Sequence, residues 1–175
     1  MTALDDLARL ANMTAHPSRH DWAGAEAVLG APPPPDYVAL LDAYGRGVFD
    51  RELVLFAPGC DTPGYDLLEG GLRIARDAEE FWAEELPGHA KPERLRAPGT
   101  RLIGWAGTGG AEYLYWVADA RPSRDWTVAV QQAEDHIWEF HETGAVAFLH
   151  GLLSGAIETG VLRGFPQLAP HSYGR

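Results

Sequence analysis

Cysteine and lysine are almost missing from this chain: Cys60 and Lys91 are the single instances in 175 residues. One cysteine excludes an intramolecular disulfide and any metal centre built from several thiolates, and it fits a reducing compartment. Basic residues are outnumbered, fourteen against twenty-five carboxylates, for a formal net charge of -11. Phosphate backbones demand clustered Lys and Arg, so nucleic acid is excluded as the expected partner. Long apolar runs are also missing, and none reaches the eighteen or so residues of a membrane span. Residues 1–10 carry Asp5 and Asp6 where a signal peptide would be basic, so they do not read as a leader. The expectation is a cytoplasmic protein with no membrane partner.

What is present is tryptophan, at a regular interval. Trp105, Trp116, Trp126 and Trp138 sit about ten residues apart, each within a short apolar run, with turn-forming residues between. Aromatic and β-branched residues suit a pleated, half-buried surface, and this rhythm predicts four consecutive strands of a meander. These side chains read as core, which sends the search for function to the surface.

Before the meander the pattern is mostly helical. Leu4, Leu7, Ala8 and Leu10 predict a short amphipathic helix within an N-terminal segment, residues 1–17. A second helix is expected from Ser18 to Leu29, ended by Gly30, and a third follows Pro35 with Tyr37, Leu40, Leu41 and Tyr44 inward. One strand is expected over Val48 to Phe56, then a glycine-rich surface loop over residues 59–72. Ile74, Ala78, Phe81, Trp82 and Leu86 return to helical spacing. After a proline-rich loop and the meander, Ala145 to Leu153 predicts a closing helix with Thr143 as N-cap and Gly155 as stop. Residues 158–175 lack periodicity and read as an irregular tail. Helices, strand, helix, meander and helix in this order predict a single α+β domain over residues 18–157. Its antiparallel sheet of about five to six strands would be covered on one face by several helices.

No catalytic or cofactor signature emerges. The glycines from Gly104 to Gly110 are followed by a strand, where a nucleotide loop requires a helix, so they read as a hairpin turn. His136 and His141, five residues apart, diverge on either a strand or a helix and do not converge on a metal. Cys60 lacks an adjacent base, and His150 and Ser154 fit a helix face and a helix end. Asp135, His136 and Glu142 are the only set from which a hydrolase could be built. The carboxylates between Asp77 and Glu85 form either a solvated helix face or a contact patch for a basic protein. On the second reading the contact residues are Asp77, Glu80 and Glu84, joined by Asp61, Asp66 and Glu69 of the preceding loop and by Glu112 on an exposed hairpin.

Several passages together resemble the SUKH superfamily of Smi/Knr-type domains. Asp21-Trp22 through Leu29-Gly30, then Pro34-Pro35-Asp36-Tyr37 through Gly45-Arg46-Gly47, resemble its N-terminal signature. Ile103-Gly104-Trp105, Leu114-Tyr115-Trp116, Asp125-Trp126-Thr127-Val128 and Phe148-Leu149 through Gly155 resemble its strands and closing helix. The resemblance covers roughly residues 20–155; Gly45-Arg46-Gly47 stands where the family has Asn-Gly-Gly. It implies an α+β fold and a non-enzymatic, cofactor-free role in binding proteins. In bacteria such domains often act as immunity proteins that neutralise a nuclease or deaminase toxin. A regulatory or adaptor module with a housekeeping partner is the alternative expectation.

Overall fold

A computed structural model describes residues 2–175. The helices among them are α1 (Ala3–Leu10), α2 (Trp22–Leu29), α3 (Pro35–Tyr44), α4 (Gly70–Ala83) and α5 (Ala145–Ser154). The strands are β1 (Val48–Phe49), β2 (Leu53–Leu55), β3 (Arg101–Gly107), β4 (Glu112–Ala118), β5 (Thr127–Gln132), β6 (Ile137–His141) and β7 (Tyr173–Gly174). They form one antiparallel sheet in the order β6-β5-β4-β3-β2-β1-β7, so the domain is α+β, with one strand more than expected.

The meander carries two cores because successive side chains point to opposite faces. Trp116 and Val128 share one face, which meets α3: the Tyr37 ring stands edge-on to Trp105 and Trp116 at 5.5 and 5.0 Å. Trp105 lies there by alternation, two residues after Ile103, which is registered opposite Trp116; a β-bulge follows, where the register slips by one residue between Gly104 and Ala106. The Tyr37 hydroxyl lies 2.7 and 2.8 Å from the carbonyl oxygens of Phe56 and Trp105, tying the helix to β2 and the bulge. On the opposite face Tyr115 and Trp138 pack beneath α4, with Trp138 5.1 Å from Trp82. The sheet is therefore covered on both faces, where one had been expected. Side-chain alternation had been masked because both faces of β4 are apolar.

Other differences have local causes. The strand expected over Val48 to Phe56 is a tight hairpin, β1 and β2, turning through Asp50 and Arg51, both at positive φ. Glycine would have announced that turn. Helix α2 begins at Trp22, with Asp21 as its N-cap, rather than at Ser18. Helix α4 begins at Gly70, inside the expected loop. Its second residue crosses β3 so closely that a Cβ on Gly71 would collide with the Gly104 carbonyl oxygen. Thr143 is not the cap of α5. Gly144 holds that position, and the Asp36 carboxylate of α3 accepts the Val146 amide at 3.0 Å.

Both terminal segments belong to the core. Leu7 and Ala11 are fully buried, and α1 packs on α5. The segment read as an irregular tail contains a 3₁₀ turn (Phe165–Leu168) and the edge strand β7. Its His171 is 3% exposed, with Nδ1 2.7 Å from Asp50 and Nε2 2.8 Å from the Leu153 carbonyl. These contacts span up to 121 residues of sequence and leave no periodic trace. Among the described residues no helix is long and apolar enough to cross a membrane.

Candidate protein-binding face

The residues read as one contact patch occupy three places and one interior position. Asp66 is 6% exposed and is removed from the patch. Its carboxylate accepts four backbone amides: Gly59 and Cys60 at 2.7 and 3.0 Å, Leu68 and Glu69 at 2.7 and 2.9 Å. A short acidic side chain amid turn residues is well suited to that task, so its role is to shape the loop. Asp61 is exposed but lines a separate cleft with Arg19 and Arg46. Glu112 folds back onto Thr108 and faces a hollow beside Glu52, Leu162 and Phe165, away from α4. Tyr113, its neighbour, turns toward α4, as alternation requires.

Glu69, Asp77, Glu80 and Glu84 do share the outer side of α4, where all four are exposed. Their charge is partly offset by neighbours. Arg73 pairs with Asp77 at 3.1 Å, Arg76 approaches Glu80 at 3.8 Å, and Lys91 meets Glu79 at 2.7 Å. Exposed pairs of this kind contribute about 0–1 kcal/mol each. Glu84 and Glu85 form no ion pair among the described residues. They sit at the helix C-terminus, where the macrodipole opposes negative charge.

Beside that end lies an aromatic cluster that spacing could not reveal. Phe81 stacks flat on His136, with ring centroids 3.5 Å apart, and His89 stands edge-on to both at 5.6 and 5.3 Å. The three come from α4, the loop after it and the β5–β6 turn, where His136 adopts φ 54°. Phe81 and His136 also line a groove of about 220 Å³ between α4 and the sheet, floored by Tyr113 and Gln131. Leu86 and Ile137, among the most exposed large apolar side chains at 42% and 49%, follow Phe81 and His136 in sequence by five residues and one. Aromatic and apolar groups rimmed by carboxylates have the composition that contact surfaces use, since the former supply desolvation energy and the latter orientation.

The hydrolase set does not assemble. Asp135 and His136 precede β6 and Glu142 follows it, so the strand separates them by roughly 20 Å at about 3.3 Å per residue. Glu142 pairs with Arg94. Among the described residues no group of three or more His, Cys, Asp and Glu could hold a metal ion. No protein-family model, no curated protein and no solved structure shows a significant match to the chain.

Proposed function

We propose that this chain is a non-enzymatic protein-binding domain of the immunity type, acting in the cytoplasm on a basic toxin domain of nuclease or deaminase class. The observation that carries the reading is the α4 terminus. Carboxylates at an electrostatically unfavourable helix end flank the Phe81–His136–His89 cluster, in which Phe81 and His136 are half-buried and His89 is exposed. Net charge of -11 would steer a basic partner toward the protein, and a groove adapted to phosphates would accept such a surface. The resemblance to SUKH domains points the same way, and the dispersal of Asp135, His136 and Glu142 removes support from the hydrolase reading.

The test is calorimetric titration with the toxin domain encoded beside the gene. Phe81→Ala should weaken binding by about 2 kcal/mol or more, as loss of a central anchor does. Glu84→Gln should mainly slow association and flatten its dependence on salt. Normal binding by both variants would remove α4 from the interface. A gene with no toxin neighbour, whose product captures a housekeeping protein through the same residues, would favour an adaptor role.

A further inference from the structure

Seven of the thirteen arginines lie within 4.0 Å of a carboxylate: Arg9, Arg73, Arg76, Arg94, Arg96, Arg121 and Arg124. Arg101 donates to the Leu29 carbonyl. Among the five others, Arg19, Arg46 and Arg175 line one cleft of about 470 Å³. Asp61 is the single acidic side chain in its lining. The side chains of three arginines and one aspartate leave a formal +2 there, within a chain whose side chains sum to -11. Cations gathered without carboxylate partners repel one another, so an anion bound among them is favoured.

The cleft is also held in shape, which lowers the cost of binding. Residues 16–20 are fixed by the amides of His16 and Ser18, which donate to the Ala43 and Asp42 carbonyls at 2.8 and 2.9 Å. The loop carrying Asp61 and Thr62 follows two amides clamped by buried Asp66. Gly45, at φ +73°, places Arg46, and its carbonyl accepts the Tyr173 hydroxyl at 2.6 Å. Arg175 is held 2.5 Å from His16 Nε2. Four segments distant in sequence are thus pinned around one polar hollow.

We infer that this cleft binds a small phosphate-bearing ligand. A phosphate monoester carries about -1.5 to -2 charge at neutral pH and three acceptor oxygens. The formal +2 matches that charge, planar guanidinium forks suit its oxygens, and the Thr62 hydroxyl adds a neutral donor. A monocarboxylate, with one charge and two oxygens, leaves the third arginine uncompensated.

Titration of the full chain with inorganic phosphate, and separately with acetate at equal ionic strength, tests this by following arginine side-chain Nε resonances. Phosphate should shift Arg19, Arg46 and Arg175 saturably and leave Arg163 unmoved, while acetate should produce no saturation. The combined Arg19→Gln, Arg46→Gln and Arg175→Gln variant should bind phosphate at least tenfold more weakly, and Arg163→Gln should bind as the parent does. The inference is overturned if the parent shows no saturable shift, if acetate saturates equally, or if all arginines shift together. The parent protein decides the matter even where the triple variant does not fold.

Discussion

Asp61 and Asp66 show how position decides what one side chain does. Both are aspartates on one glycine-rich loop, yet the first faces solvent and the second satisfies four amides. A buried amide that loses its acceptor costs about 1–3 kcal/mol, and water can reach some of these four. Asp66→Ala is therefore expected to lower unfolding free energy by on the order of 3 kcal/mol, with Asp61→Ala within about 0.5 kcal/mol of the parent. Urea denaturation of the two variants measures the contrast directly. Equal stability of the two would contradict the clamp.

At the scale of the element, α4 is poorly finished at its C-terminal end. No basic residue occupies its last turn, and Glu85 adopts φ 51°, a left-handed conformation that costs a non-glycine residue about 1–2 kcal/mol. Glu85→Gly should accordingly raise the melting temperature of the free protein, by about 0.5–1 kcal/mol of stability. The same substitution should weaken the proposed partner, since it removes a carboxylate beside Phe81. Stabilisation without loss of binding would mean that this helix end lies outside the contact. The N-terminal end differs, because the Gly71–Gly104 approach lets α4 lie close against β3. Gly71 reads as loop in the sequence, since backbone contact has no period.

For the whole molecule, buried phenols, Tyr37 and Tyr115 among them, make stability depend on pH in the alkaline range. Burial pushes the hydroxyls of Tyr37 and Tyr115 well above the ordinary tyrosine range. Below about pH 10 both folded and unfolded chains keep the phenols neutral, so stability from this source is constant. Above it the unfolded chain ionises first and stability falls with rising pH. Urea midpoints from about pH 9 to about pH 11.5 should decline on this limb, and Tyr37→Phe should be less stable at neutral pH yet decline less steeply. An unchanged slope in that variant would show that Tyr37 does not contribute. The sequence by itself determined the α+β class, the four meander strands and the core roles of Trp105 and Trp116, because alternation and helical spacing are local properties of the chain. Tertiary structure alone decided that the sheet is covered on both faces and that Asp66 is interior. It also brought Phe81 to His136 and gathered Arg19, Arg46 and Arg175 into one cleft. Those outcomes depend on which distant backbone and side-chain groups meet, and residue spacing carries no record of such meetings.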